Sequence, residues 1–173
     1  MDAMEALLER RSCRAFESRQ VERGALEQII EAGRFAPSGM SRQPVHFVVV
    51  QDEAARAQLS RMNAEIMGGS GDPFYGAPTI VVVLVDGDVP TGIEDGSLAL
   101  GNMMTAAHSL GVGSCWIHRA REEFESDEGR ELLRAWGLPA DGSLVGVGHC
   151  ALGYPAKENR PAKPRKDNVT WVA

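Results

Sequence analysis

The most constraining feature of the sequence is the run Thr-Ile-Val-Val-Val-Leu-Val at 79–85, which is apolar and rich in β-branched residues. An unbroken apolar run of this length is typical of a strand that is buried on both faces of its sheet. A second segment, from about 93 to 110, is apolar or small around nearly the whole helical circumference, so we expect a central helix there. Together the two segments predict a sheet that is covered by helices.

Periodicity along the rest of the chain completes this outline. Apolar residues at helical spacing predict a short helix capped by Asp2 and further helices at 22–35, 52–67 and 121–136, while apolar runs predict strands at 45–50, 113–117 and 144–152. Strands alternate with helices, which predicts an α/β or α+β fold. Neither a repeat nor a linker divides the 173 residues, so we expect a single domain over 1–173.

The charge of the chain is unevenly distributed. The net charge is −6, which argues against a nucleic-acid partner because such proteins rely on basic contacts to phosphates. Residues 10–23 nevertheless hold five arginines against two glutamates, and residues 157–173 hold five lysines and arginines against two acids. A basic segment near each end of an acidic chain calls for a specific explanation.

The cysteines and the N-terminus bear on the cellular compartment. Cys13, Cys115 and Cys150 are odd in number and widely spaced, which indicates neither a disulfide framework nor a CxxC metal site. The N-terminus lacks an apolar core of signal-peptide length, and the longest uncharged stretch, 96–118, is too polar for a membrane span. We therefore expect a cytoplasmic protein without a membrane partner.

Motifs of catalytic chemistry are weak in this sequence. Residues 146–151 fit the dinucleotide fingerprint G-x-G-x-x-A, but that motif must open a helix and here it lies inside an apolar run. We interpret its glycines as relieving crowding in a buried strand. The four histidines have no metal-ligand spacing, and Cys115 in a predicted strand is expected to be inert packing. No metal site and no catalytic side chain is predicted.

The segment Arg10-Arg11-Ser12-Cys13-Arg14 concentrates three guanidiniums and a hydroxyl where the first helix ends. Arginine binds phosphate through two parallel hydrogen bonds, which favours an anion site; the alternative is a helix C-terminus that carries cations to suit its dipole. Lys163 and Arg165 form a second cationic pair in a proline-stiffened tail. The loop 37–44 offers hydroxyls, an amide and backbone N–H groups, which suit a polar heterocycle or a ribityl chain.

The last twenty residues show no periodicity, yet they end in the β-prone segment Val169-Thr170-Trp171-Val172. Such a tail can add a strand to the sheet of another subunit. It can equally be a frayed terminus. The residues alone leave both alternatives open.

Several segments, taken in order, resemble the FMN-dependent nitroreductase family. They are RRSCRAF (10–16), APSGMSRQPVHF (36–47), GAPTIVVV (76–83), DGSLALGNMMTAAHSLGVGSCWI (95–117), ALGYP (151–155) and KPR (163–165). The resemblance implies an α+β fold with three layers, α/β/α, around a mostly antiparallel sheet, in an intertwined homodimer. Residues 156–173 would extend onto the partner subunit, and each of two FMN sites would take residues from both chains.

Position by position, the resemblance implies a cofactor-binding set. The set is Arg10, Arg11, Ser12, Arg14, Pro37, Ser38, Gly39, Ser41, Gln43, Asn63, Cys115, Trp116, Ile117, His118, Lys163 and Arg165. Within this set, Arg10 and the pair in the tail would hold the FMN phosphate, and Arg14 would lie near the N1–C2=O edge of the flavin. The loop over 37–43 would reach the flavin from the partner subunit, and the strand end 115–118 would face the isoalloxazine.

The sequence departs from the family at three places. Ser41 stands where the family usually has Asn, and Val45 stands where it often has Trp. The connection between strand 79–85 and the long helix is only about seven residues, whereas larger relatives carry a helical lid there. The chain therefore resembles a compact subgroup, and the identity of its substrate does not follow from the resemblance.

The activity that the resemblance implies is NAD(P)H-dependent reduction of a small acceptor. Electrons would pass through FMN to nitroaromatics, quinones or similar molecules in a ping-pong cycle, with Arg14 favouring the reduced flavin. Alternatives on the same scaffold are a dehalogenase, a flavin destructase or an enoate-type reductase. A non-catalytic FMN-binding or sensing module is a further alternative, and so is a domain without any cofactor.

Overall fold

The computed structural model of the chain describes residues 1–159 and 161–173; residue 160, within the expected extension 156–173, lies outside the described residues. Within the described residues, six helices and four strands follow one another. They are α1 Ala3–Glu9, α2 Arg23–Arg34, β1 Val45–Val50, α3 Glu53–Ile66, β2 Thr79–Asp86, α4 Gly92–Ser109, β3 Gly113–Ile117, α5 Ala120–Glu125, α6 Asp127–Ala135 and β4 Leu144–Gly153. A short 3₁₀ turn, Gly39–Ser41, precedes β1.

The four strands form one sheet in the order β1-β2-β4-β3, and every neighbouring pair is antiparallel. The predicted α+β fold with an antiparallel sheet is therefore confirmed. Strand β2 lies in the interior of the sheet, and all residues of the run 79–85 are buried, as the unbroken apolar pattern predicted. Within the described part of the chain, no helix combines the length and the apolar character that crossing a membrane requires.

Helices cover both faces of the sheet. Because successive side chains of a strand point to opposite faces, β2 divides its side chains between two cores. Val81, Val83 and Val85 belong to one core together with side chains of α2 and α4. Ile80, Val82 and Leu84 belong to the other, with side chains of α3, α5 and α6. The three-layer arrangement expected from the sequence is confirmed.

The expectation of one helix over 121–136 is wrong, because Ser126 divides the segment into α5 and α6. Ser126 has an extended backbone (φ −74°, ψ 159°), and its hydroxyl accepts a hydrogen bond of 3.0 Å from the Gly129 N–H. The same hydroxyl donates to the Glu123 carbonyl at 2.6 Å. A serine that bonds the local backbone in this way competes with continued helix and starts a new one.

The glycines of the rejected dinucleotide fingerprint lie inside β4, and no helix follows them in the part of the chain that the structure describes. A Cβ atom added at Gly146 would lie 2.2 Å from the Ala120 carbonyl oxygen at the start of α5. A Cβ atom added at Gly148 would lie 2.6 Å from the Trp116 indole nitrogen. These glycines allow a neighbouring backbone and a large side chain to approach the strand, as the sequence interpretation proposed.

Candidate functional site

The N-terminal basic segment lies along the outer edge of β3. Arg10 ends α1 with a non-helical backbone, and the chain then turns to run beside the strand. Ser12 forms a parallel bridge with Ser114, and the Cys13 N–H donates to the Ser114 carbonyl at 2.9 Å. Cys13 is buried and anchors the segment, whereas Arg14 remains exposed. The cations between residues 10 and 14 are thus brought to the same edge as the predicted strand end.

The three arginines of this segment are used differently. Among the residues that the structure describes, Arg10 and Arg14 form no ion pair with a carboxylate. The Arg11 guanidinium instead donates to the carbonyls of Leu8 (2.7 Å) and Arg10 (2.8 Å). Arg11 therefore satisfies the C-terminus of α1, which was the alternative interpretation of the cluster, while Arg10 and Arg14 are available for an anion.

Arg14 also lies beside an aromatic side chain that the sequence analysis did not single out. Its guanidinium carbon is 5.8 Å from the centre of the Tyr75 ring, within the range of cation–π attraction. Tyr75 follows the buried Phe74 in a tight turn that Asp72 holds, since the Asp72 carboxylate accepts from the N–H groups of Phe74 and Gly76. The loop after α3 thus reaches the basic segment.

The end of β3 presents alternate faces. Cys115 and Ile117 are buried, whereas Trp116 is half-exposed and lies against His118, with 5.5 Å between the ring centres. Burial raises the pKa of the Cys115 thiol, and the nearby charge of Arg14 opposes that rise. A protonated, buried thiol is packing rather than a nucleophile.

The loop over 37–43 has an unusual backbone that is held from two sides. Ser38 Oγ accepts from the Gln43 N–H at 3.0 Å, and Met40, Ser41 and Gln43 all have positive φ angles between 51° and 55°. Left-handed conformations are costly for non-glycine residues and persist only where the surroundings impose them. The three positive φ angles therefore indicate that contacts with the surroundings constrain this loop.

Asp95 of α4 supplies one of those constraints. It is 3% exposed; its Oδ1 accepts from the Gly39 N–H at 2.9 Å, and its Oδ2 accepts from the Thr91 hydroxyl at 3.0 Å. Beside this contact lies a cavity of about 200 Å³. Its lining is Gly33, Arg34, Ala36, Pro37, Ser38, Gln43, Val45, Phe47 and Asp95.

One chain does not bring the two halves of the predicted site together. The 37–43 loop leads into β1 and the basic segment lies against β3, and these strands form opposite edges of the sheet. Three inter-strand spacings separate them, which is about 14 Å across the sheet. Lys163 and Arg165 lie in the tail, whose described residues 161–173 are exposed and contain no helix or strand.

Asn63 is fully buried in the single chain. It has no exposed surface, and its side-chain amide donates to the His118 carbonyl at 2.7 Å and to Glu123. Glu123 pairs in turn with His149 at 2.8 Å. Glu123 and Asp95 were not predicted from the sequence. For Glu123 the only signal was its position next to Phe124 on the inward side of a helix.

Comparison with known proteins agrees with the fold. The model of the Nitroreductase family matches residues 7–73 and 65–154. The chain belongs to the nitroreductase family. In this nitroreductase, five residues, Gly87 to Thr91, connect β2 to α4. That connection is too short to hold a helical lid.

Two solved structures and one curated relative illustrate the similarity. A nitroreductase with bound FMN from Bacteroides fragilis NCTC 9343 superposes with a TM-score of 0.91 at 30% identity, covering 100% of both chains. A nitroreductase with bound FMN from Desulfitobacterium hafniense DCB-2 gives 0.88 at 26% identity, again over 100% of both. The FMN reductase (NAD(P)H) of Bacillus subtilis is 26% identical over 95% of this chain and 70% of its own length.

Proposed function

We propose that this protein is an FMN-dependent oxidoreductase that takes electrons from NAD(P)H and delivers them to a small acceptor, and that it works as a homodimer. The observation that carries the proposal is that Arg10 and Arg14 lie beside β3 without ion-pair partners among the described residues. Two solved structures similar to this chain are nitroreductases with bound FMN. The expected acceptors are nitroaromatics, quinones or similar molecules.

The donor set of the basic segment suits a phosphate-bearing ligand. FMN carries about two negative charges on its phosphate, and burying them without cationic partners would be prohibitive. Arg10 would bind the phosphate, Ser12 would add a hydroxyl, and the tail residues Lys163 and Arg165 would complete the charge balance. Arg11, which is bonded to the carbonyls of α1, is less suited to this task.

The flavin, when bound, supplies the redox chemistry, accepting a hydride and passing electrons on. The side chains have other tasks. Arg14 would stabilise negative charge at the N1–C2=O edge of the ring. Trp116 and His118 would present their half-exposed face toward the ligand, and the 37–43 loop would add hydrogen bonds from Ser38 and Gln43.

The homodimer proposal rests on apolar side chains that remain exposed in the single chain. Helix α1 packs against α4, and apolar side chains remain exposed on both: Leu7 and Leu8 on α1, and Ile93 and Leu98 on α4. A second copy would cover them. It would also bring the 37–43 loop of one chain to the basic segment of the other.

The outer edge of β1 is a candidate partner for the tail. The outer edge of β3 is bridged by Ser12, whereas the described residues form no such bridge on the outer edge of β1. We propose that the segment 169–172 of one chain pairs with β1 of the other. Trp171, which is 91% exposed in the single chain, would then be buried.

The test is the absorption spectrum of the purified protein. We expect a flavin spectrum that bleaches on anaerobic addition of NADH or NADPH and returns when a quinone or nitroaromatic acceptor is added. A flavin that binds but does not bleach would assign a non-catalytic binding module. A colourless protein that fails to bind added FMN would refute the proposal, and light scattering of the same sample tests the dimer.

A further inference from the structure

Three polar side chains from three different elements meet inside the protein. Asn63 lies on α3, Glu123 on α5 and His149 on β4, and each of them is 0% exposed. Their surroundings are aromatic: the ring centre of His149 is 5.2 Å from that of Phe74, in an edge-on arrangement, and 6.5 Å from that of Phe124. The proposed redox chemistry uses none of these three side chains directly.

One close contact between ionisable groups and two hydrogen bonds link the three side chains to the end of β3. His149 Nε2 lies 2.8 Å from Glu123 Oε2, and the other oxygen of Glu123 accepts from the Asn63 amide. The same amide donates to the His118 carbonyl at 2.7 Å. These contacts therefore link His149 on β4, through Glu123 and Asn63, to the backbone just after β3.

Burying these three polar side chains has a desolvation cost, which calls for an explanation other than core packing. A buried pair of ionisable groups is expensive to desolvate, and apolar side chains of the same size are often as stable or more stable. Neither ring nitrogen of His149, moreover, has a hydrogen-bond partner among the described residues. Stability of the core alone is therefore a poor explanation for these residues.

The backbone that the network holds is strained. Arg119, the residue after His118, has φ 84° and ψ 0°, a left-handed conformation in a non-glycine residue, and it begins α5. Such conformations cost free energy and persist where neighbouring contacts impose them. The Asn63 amide bonds the carbonyl immediately before this residue, which is where a contact would hold the turn most directly.

We propose that Asn63, Glu123 and His149 are positioning residues that fix the β3–α5 turn, residues 117–120, against the bound flavin. The proposal rests on the proposed function, because it takes the end of β3 to face the flavin ring. The three residues touch neither flavin nor substrate. They act through the direction of the backbone groups of the turn, which sets FMN affinity and the reduction potential of the bound flavin.

The test compares two variants that each remove a hydrogen-bonding side chain of α3. Asn63→Ala deletes the donor to the His118 carbonyl and to Glu123, whereas Gln58→Ala deletes a partly buried hydrogen bond from the same helix to Glu128. We expect Asn63→Ala to raise the FMN dissociation constant about tenfold, the effect of losing a buried hydrogen bond. It should also make the flavin potential more negative, while Gln58→Ala changes neither.

Amide hydrogen exchange over 117–121 in the FMN-free chain gives a readout that does not need the cofactor. It should be faster in Asn63→Ala than in Gln58→Ala, so this part of the inference is testable even if the wild-type protein binds no FMN and the proposed function fails. Should Asn63→Ala not fold, Glu123→Gln keeps the volume and costs one of the two carboxylate contacts. It should shift exchange, affinity and potential in the same direction by a smaller factor.

Two results would overturn the inference. One is unchanged hydrogen exchange over 117–121 in both network variants. The other is a variant that loses thermal stability but keeps the wild-type FMN dissociation constant and flavin potential, which would assign Asn63, Glu123 and His149 a purely structural role.

Discussion

Replacing Asp95 by alanine should release the 37–43 loop from helix α4. The buried carboxylate accepts one hydrogen bond from the Gly39 N–H and one from the Thr91 hydroxyl, at 2.9 and 3.0 Å. The loop carries three non-glycine residues with positive φ, so it has its own tendency to relax once the contact is gone. Both its stability and the proposed FMN contacts depend on Asp95.

The magnitude follows from the two lost bonds. A hydrogen bond to a charged group contributes about 1.5–3 kcal/mol, and partial access of water to the loop reduces the sum, so we expect a loss of about 2–4 kcal/mol. For a domain of this length, that lowers the melting temperature by about 4–16 °C. Asp95→Asn keeps the acceptor for the Gly39 N–H and should cost only about 1 kcal/mol.

The assay is urea unfolding followed by circular dichroism, together with an FMN titration of the apo-protein. Asp88→Ala is the control, because Asp88 is exposed on the neighbouring connection. We expect the FMN dissociation constant of Asp95→Ala to rise about tenfold, which corresponds to about 1.4 kcal/mol. The proposed role of Asp95 is refuted if the unfolding free energy of Asp95→Ala lies within about 0.5 kcal/mol of that of Asp88→Ala and the variant binds FMN as tightly as the control.

Three other predictions concern the cation site, the tail and the packing of β4. Arg14→Ala should weaken FMN retention and slow the reduction of the bound flavin by NAD(P)H in stopped-flow experiments. FMN retention and a reduction rate equal to those of an Arg134→Ala control on α6 would contradict the proposed role of Arg14. Removal of residues 160–173 should yield a monomer without FMN by gel filtration and absorbance; a truncated dimer with full FMN would exclude the tail as a clamp. Gly146→Ala should lose about 1–3 kcal/mol in urea unfolding because its Cβ would meet backbone of α5, whereas Gly148→Ala should lose less because it meets a side chain; equal losses would show that contact with backbone is not what matters.

The sequence could predict elements whose signals are local. The apolar run of β2 and the all-round apolar character of α4 both correspond to buried elements, since burial on every side leaves no room for polar residues. The division of 121–136 at Ser126 was not predicted, because the amphipathic pattern continues across the cap. A serine hydroxyl ends a helix only when its partners lie within reach.

Some residues of the candidate site could be predicted from local sequence patterns and others could not. The clusters at 10–14 and 37–43 could be identified because cations, hydroxyls and turn residues are chemically conspicuous in a short window. Asp95, Glu123 and His149 could not, since a single acidic or imidazole side chain in a helix or strand has no distinguishing local pattern. Their importance comes from partners that lie 26 to 60 residues away in sequence, such as Gly39 for Asp95 and Asn63 for Glu123.

The sequence by itself determined most of the secondary elements, the family resemblance and the placing of a basic segment at each end of the chain. These features depend on the chemistry of neighbouring residues, which the chain carries in any conformation. Only the tertiary structure decided that β1 and β3 are opposite edges of one sheet, and hence that the 37–43 loop and the Arg10–Arg14 segment lie far apart within one chain. Strand order is settled by long-range pairing, which no local pattern encodes.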